Sequence, residues 1–518
     1  MRAMNVFRTK SVEQSIADTE DPEHQLKKNL GALDLTVFGV GVMIGAGIFV
    51  LTGTVAAQYS GPAIALSFLI AGVACALAAL CYAEFASTVP VAGSAYTFSY
   101  ATFGELIAWT IGWDLVLEFT IGSAALSTSF SGYLQTVLDG TAFEIPASLA
   151  SAEDGFVNLP AVLIALAVMA VLIVGIKLSS ALNQIVVAIK LVVIALVIVA
   201  GIGYINRDNY SPFIPESRGA EGAEGGFADV SLITTIFGLE PSVFGLAGVI
   251  TGAAVVFFAF IGFDIVATTA EEARNPQRDI PIGILGSLAV VTLLYISVSL
   301  VVTGMRSYQE IDPNDAAPLA TVFDSVGVEW MGNVVAIGAC IGLIVVAMIL
   351  MLGQTRVAFA MARDGLLPRG LAKVHPKFRT PHVITGITGV AVAAIAGFVE
   401  LTTLAELVNI GTLFAFILVS IGVVVLRRTR GDLPRAFRVP AAPLVAGLAT
   451  LLCAYLMLNL TGGTWVRFVV WMAIGFVVYF AYGQRHSRVG QAGPVTGTPP
   501  SSSGGTGRHG SPGTHSSD

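Results

Sequence analysis

The sequence predicts an all-α integral membrane protein of twelve transmembrane helices. Three observations carry this. Of 518 residues, 55% are hydrophobic and only 12% are charged, whereas a soluble chain carries about a quarter charged residues. The apolar residues gather into twelve stretches near the ~20 residues that span a bilayer. The basic residues fall on alternate sides of those stretches.

In chain order the apolar stretches lie near 35–57, 62–87, 96–134, 157–176, 179–205, 247–271, 281–304, 333–361, 382–399, 403–426, 440–460 and 464–482. Two long runs need punctuation. Gln58 to Pro62 divides the first pair of spans, and Thr461 to Thr464 divides the last. With the N-terminus inside, 22 of the 27 Lys and Arg residues fall in cytoplasmic segments. The long outward loops 136–156, 206–246 and 305–332 carry fifteen acidic residues against three basic ones. That is the positive-inside asymmetry, and a miscounted helix would have scrambled it.

The expected organisation is a polar cytoplasmic N-terminus (1–34), a transmembrane domain (35–485) and a disordered, Gly/Ser/Pro-rich cytoplasmic tail (486–518). The N-terminus has no apolar core of the kind a cleavable signal carries. The expected location is the cell (inner) membrane, with both termini cytoplasmic. A formal charge of −7 gives no footprint for nucleic acid. Cys75, Cys81, Cys340 and Cys453 sit in apolar stretches without metal-ligand spacing. No metal or cofactor is expected.

The first span contains Gly39, Gly41, Gly45 and Gly47 within nine residues. Each glycine weakens a helix by about 1 kcal/mol relative to alanine. Two readings stand: a close-packed seam such as Gly41…Gly45, or an unwound segment whose freed backbone binds a ligand. The sixth span, Phe257-Phe258-Ala259-Phe260-Ile261-Gly262-Phe263-Asp264, again sets a glycine among bulky residues, with an acid two positions on. Spans one and six occupy equivalent places in two five-helix halves. Paired interruptions of that kind mark the midplane site of an inverted-repeat transporter. Half-helix N-termini would there meet an anionic group, and freed carbonyls a cationic one. A zwitterionic amino acid fits that pair of ends.

Lys190 stands alone in the fifth span between charge-free stretches. An ammonium at that depth costs roughly 2.5–3.5 kcal/mol on insertion scales. Either membrane edge is more than two turns away, which argues against snorkelling. A lysine so placed can substitute for a bound cation and exchange a proton. Asp114 and Glu118, four apart, share one face of the third span, in a structural role or beside a substrate. Glu118 is the deeper. Asp264 is either part of the break in the sixth span or a clamp on a neighbouring helix, and a structural role is expected of it. The charged turns Glu271 to Pro281 and Arg363 to Pro368 are either solvated loops or gating pairs.

Several long motifs in order also resemble a known family. Gly41 to Phe49, Gly104 to Glu118 (GELIAWTIGWDLVLE), Phe258 to Pro281 (FAFIGFDIVATTAEEARNPQRDIP) and Arg363 to Pro368 are similar to the cationic amino acid transporter branch of the amino acid–polyamine–organocation superfamily. The likeness covers roughly residues 26 to 485. It implies an inverted five-plus-five repeat with broken helices one and six, two further helices, and alternating access. The substrate carboxylate would be held at Gly45, Ala46 and Gly47. The amino group would be held by the carbonyls of Phe258, Ala259 and Ile261, with Phe258 as aromatic gate. Lys190 would take the place of a sodium ion and couple transport to protons, and Glu118 would lie near the substrate side chain. Ala46 departs from relatives that carry a hydroxyl residue there. The chain has the twelve helices of bacterial-type members.

The expected function is therefore a secondary active amino acid permease, not an enzyme. Its partners are a small amino acid, the proton and the bilayer. The alternative is an amino acid exchanger without proton coupling. A membrane enzyme would need clustered His, Asp or Glu at the membrane face, and the six histidines lie in loops, tails or at helix ends. A passive channel would draw selectivity from rings of groups, usually from an oligomer.

Overall fold

The computed structural model describes residues 30–88, 94–151, 155–175, 180–219, 226–269, 272–433 and 435–491. The expected N-terminal segment up to residue 29 and the tail beyond residue 491 lie outside the described residues. Residues 484–491, at the root of that tail, are helical turns, and Ser487 among them is buried.

Among the described residues, eight helices are long and apolar enough to cross a membrane, and four shorter apolar helices accompany them. We number the principal helices α1 (Ala32–Met43), α2 (Ile64–Thr88), α3 (Glu105–Leu138), α4 (Leu159–Val174), α5 (Ser180–Ile202), α6 (Gly245–Val256), α7 (Pro276–Met305), α8 (Glu329–Arg363), α9 (His382–Phe398), α10 (Leu401–Thr429), α11 (Ala442–Leu458) and α12 (Gly462–Val478). Each apolar stretch of the sequence overlaps one of these, and the first, third and sixth contain further helical pieces as well. Large apolar side chains such as Val199, Leu293 and Leu451 stand exposed on their outer faces. A protein in water would hide such surface. The chain is a multi-pass membrane protein.

The third stretch differs from expectation. It is two helices, Ser94–Thr102 and α3, separated at Gly104. Gly104 has φ 93°, a conformation that L side chains rarely adopt. Hydropathy misses this break because it averages over about twenty residues, and the break occupies only Phe103 and Gly104.

α3 packs most extensively against α8, and α7 lies along both α2 and α1. Residues 206–219 and 226–246 of the connection between α5 and α6 are bonded to one end of the bundle. Arg218–Gly219 pairs antiparallel with Ser242–Val243. Within that loop Tyr210 donates a hydrogen bond of 2.5 Å to Leu300 O in α7.

The opposite end is tied by carboxylates. Glu84, at the end of α2, accepts from Arg427 Nε at 2.7 Å and Nη2 at 2.5 Å, and from the Val439 N–H at 2.7 Å. Arg435 approaches it at 3.6 Å. One buried side chain thereby joins α2, α10 and the α10–α11 connection. Close by, Glu105 accepts hydroxyl bonds from Tyr100 and Tyr479, each 3.0 Å, and from Ser487. Removing one member of a buried, hydrogen-bonded ion pair typically costs ~3–5 kcal/mol. Glu84→Ala takes the carboxylate from the Arg427 guanidinium and the Val439 amide and the counter-charge from Arg435, so its apparent Tm in detergent falls well below wild type. An unchanged Tm would show that the cluster is dispensable.

Candidate functional site

Both glycine-marked segments are broken. α1 ends at Met43; Ile44 is extended (φ −71°, ψ 95°), and helical turns resume as a wide π-turn at Gly47–Leu51. α6 passes into a 3₁₀ turn at Phe257–Phe260, then Ile261 is extended and Gly262 has φ 120° before the short arm Phe263–Thr268. The two readings of the first span both apply, to different glycines. Gly41 and Gly39 are packing positions, where a Cβ would strike Val187 of α5 and Ser287 of α7. Gly45 and Gly47 belong to the break. At Gly47 a Cβ would overlap Ala259, so the two interrupted segments touch backbone to backbone.

A break inside a bundle frees backbone groups that need partners. Lys190, 1% exposed, donates from Nζ to Gly41 O at 2.8 Å and Ile44 O at 2.9 Å. Its ammonium thus caps the carbonyl end of α1, where a helix dipole favours positive charge. Its stem runs over Gly342 of α8, where any Cβ would overlap it. The second break has a corresponding brace. Asn409 of α10, fully buried, donates from Nδ2 to Ala254 O at 2.9 Å and Val255 O at 3.0 Å. Each broken helix is therefore held by a polar side chain from the helix four places further along, α5 for α1 and α10 for α6.

A third side chain joins the breaks to each other. The Tyr295 hydroxyl lies 2.6 Å from Met43 O and 2.7 Å from Ala259 O. It has one proton, so it donates to one carbonyl at a time. Sequence reading missed Tyr295 and Asn409. The signal available was a lone polar group within an otherwise apolar span, and tyrosine is too amphipathic for that signal to stand out.

Between the breaks is a small cavity of about 20 Å³, lined among others by Gly45, Ala46, Gly47, Phe258 and Ile261. Five of the expected site residues thus meet at one place, joined by Leu126 and Gly122 of α3, Val346 of α8 and Val408 of α10. The space holds about one water, so a larger occupant requires the arms to separate. Ala259 does not line it; its carbonyl is engaged by Tyr295. Glu118 does not line it either. It is buried one turn from Gly122, with Oε1 lacking a hydrogen-bond partner. Asp114 packs beside Gly411 with both carboxyl oxygens unpartnered. Asp264 accepts from the Gly262 N–H at 3.2 Å, the structural role expected of it. Of the charged turns, Asp279 accepts from Asn275 N at 3.1 Å and Asp364 from the Tyr96 hydroxyl at 2.7 Å.

Residues 30–482 match a family model described as amino acid permease. The chain is 45% identical to the methylthioribose transporter of Bacillus subtilis (strain 168), over 93% of this chain and 99% of that protein. It is also 45% identical to the branched-chain amino acid permease BcaP of the same organism, over 94% and 99%. The vacuolar cationic amino acid transporter 4 of Arabidopsis thaliana is 38% identical, over 83% of this chain and 68% of its own length.

The contact at Gly47 can be tested apart from any ligand. Gly47→Ala must push Ala259 away, and overpacking of this kind costs ~1–3 kcal/mol. At Gly45 the nearest atom is the flexible end of Leu126, 3.1 Å from a Cβ. The expected result is a clearly lowered Tm for Gly47→Ala and a near-native Tm for Gly45→Ala, measured on purified protein in detergent. Equal Tm values would contradict the close approach of the two breaks.

Proposed function

Because this chain belongs to the amino acid permease family, we propose that it carries an amino acid through the site between its two broken helices by alternating access, coupled to protons through Lys190. It is a transporter and not an enzyme. The observation that carries the reading is the pairing of opposite backbone ends at one cavity. The N–H groups at Gly45 to Gly47 open a helical segment and suit a carboxylate. The carbonyls of Phe258 and Ile261 suit an ammonium, and that of Ala259 joins them when Tyr295 donates to Met43 O instead. Glu118, one turn away, faces the side-chain end of such a substrate, and Phe258 covers it.

The matching braces, α5 on α1 and α10 on α6, support an inverted five-plus-five repeat within twelve transmembrane helices. Lys190 stands where a bound cation would be needed to neutralise the freed carbonyls. Charged, it holds α5 to the end of α1. On losing its proton it keeps a weaker hydrogen bond, and the contact loosens. Proton exchange at this one side chain thus biases whether the two arms stay together.

Substrate class is separable by ligand-induced stabilisation, since a ligand raises apparent stability by RT ln(1+[L]/Kd) when it binds the native state. The twenty amino acids and methylthioribose, which the name of one relative brings in, are the panel. An amino acid with free carboxylate and amine should raise the Tm. A rise with methylthioribose alone would overturn the zwitterion site.

Coupling is tested by radiolabelled uptake into proteoliposomes with an inward proton gradient and no sodium. Lys190→Ala should abolish accumulation while affecting substrate affinity less. Lys190→Arg should fail as well, because a guanidinium keeps its proton. Accumulation by either variant removes Lys190 from coupling. A wild type that ignores the gradient yet trades internal for external amino acid is an exchanger.

Orientation follows from the loop charges. Cysteines placed at Ser217 and Ser325, both exposed, should label from outside, and one at Ser502 from inside. Outside labelling at Ser502 would exclude cytoplasmic termini.

A further inference from the structure

The cavity between the breaks holds about one water, so an arm beside it must swing away to admit anything larger. The arm of the first span beyond its break is a run of helical turns, Gly47–Leu51, Thr52–Val55 and Ala56–Ser60. It is tied to α6. The Phe244 N–H donates to Tyr59 O at 2.9 Å, and a Cβ on Gly248 of α6 would strike that same carbonyl. On another side the arm faces α3. There the Tyr133 hydroxyl donates to Phe49 O at 2.5 Å, within the π-turn, and the two rings meet edge to face with centroids 5.9 Å apart. Both side chains are fully buried. α3 itself is anchored elsewhere: it lies along α8, where Ser123 donates to Ala347 O at 3.1 Å. The chain entering the short helix Pro318–Ser325 spans the same seam. Pro318 presses on Gly53 of the arm and Ala316 on Gly132 of α3, each so closely that a Cβ on the glycine would overlap it.

We propose that Tyr133 is a positioning residue of the transport cycle, its hydroxyl latching the arm 47–60 to α3 and setting how readily the site opens on that side. The inference rests on the site between the broken helices, but not on the identity of the substrate or on Lys190. A phenylalanine would fill the same space and keep the ring contact, so packing alone does not call for the hydroxyl. The bond is also suited to being exchanged. When the arm leaves α3, water entering the seam replaces both partners, so parting them costs only the small net worth of one hydrogen bond rather than a stranded carbonyl. Lys190 holds the α1 side of the break and Tyr133 the far side. Alternating access needs the two halves of the span released at different times, and two separate side chains allow that.

The test follows a reporter cysteine at Ser129, buried one turn from Tyr133 on the same face of α3 and between it and the cavity-lining Leu126. The full chain is purified in detergent with Cys340→Ser, and thiol labelling of each remaining cysteine is timed by peptide mass spectrometry. Tyr133→Phe should speed labelling at the reporter about fivefold, the equilibrium worth of one net hydrogen bond. The native Cys75 and Cys453, both fully buried away from the seam, should label no faster than before. 4-Aminophenylalanine at position 133 restores an N–H donor and should return the reporter to the wild-type rate. 4-Methylphenylalanine fills the space of the hydroxyl without a donor, and replaces the phenylalanine variant if that one does not fold. An unchanged reporter rate in a folded variant lacking the donor would overturn the proposal. Equal gains at Cys75 and Cys453 would overturn it too, making the hydroxyl a general stabiliser. No amino acid enters this measurement, so a wrong substrate assignment would show in the ligand panel and not here.

Discussion

Every backbone group inside a bilayer must find its partner within the protein, because lipid supplies none. This molecule breaks two helices in its interior and therefore has to answer for the carbonyls it frees. Lys190 takes two of them at the end of α1, Asn409 takes two at the end of α6, and Tyr295 stands between the breaks. The cavity exists because these side chains make irregular backbone affordable at that depth.

The same constraint explains why the three braces are unlike one another. A fixed amide suffices at α6, where Asn409 donates to adjacent carbonyls and keeps one charge state. α1 is held by an ammonium, which is costly to bury and can be discharged. Of the two braces, only that on α1 can change strength by exchanging a proton. Tyr295 has one proton for two carbonyls, so the link between the breaks is divided and can shift from one to the other at little cost. The ends of the bundle are treated differently. At one of them Glu84 and Glu105 gather several donors each and fix helices α2, α3, α10 and the last helical turns among the described residues.

Much of this was legible in the sequence, and for identifiable reasons. Span positions follow from runs of apolar residues, and each run became helical, the first, third and sixth with interruptions. The interruptions followed from glycines amid bulky neighbours, and Lys190 from a solitary charge. What stayed hidden was contact. Gly39 and Gly41 look the same in the sequence as Gly45 and Gly47, yet the first pair admits α7 and α5 while the second pair lies in the break. The division of the third stretch at Gly104 was invisible because hydropathy averages over about twenty residues and the break occupies two. Glu118 was placed correctly in the interior, yet the turn that lines the cavity is that of Gly122.

By itself, the sequence determined the membrane environment, the order of the helices, the charge asymmetry of the loops and the places where helices one and six give way. Hydropathy and helix propensity act on each segment separately, so they can be read along the chain. Only the tertiary structure decided which donor meets which freed carbonyl. Lys190 reaches Ile44 across 146 positions and Tyr295 reaches Met43 across 252. Such pairings depend on which helix lies against which, and on glycines that let a side chain pass. Packing sets both, and no local property of the chain encodes it.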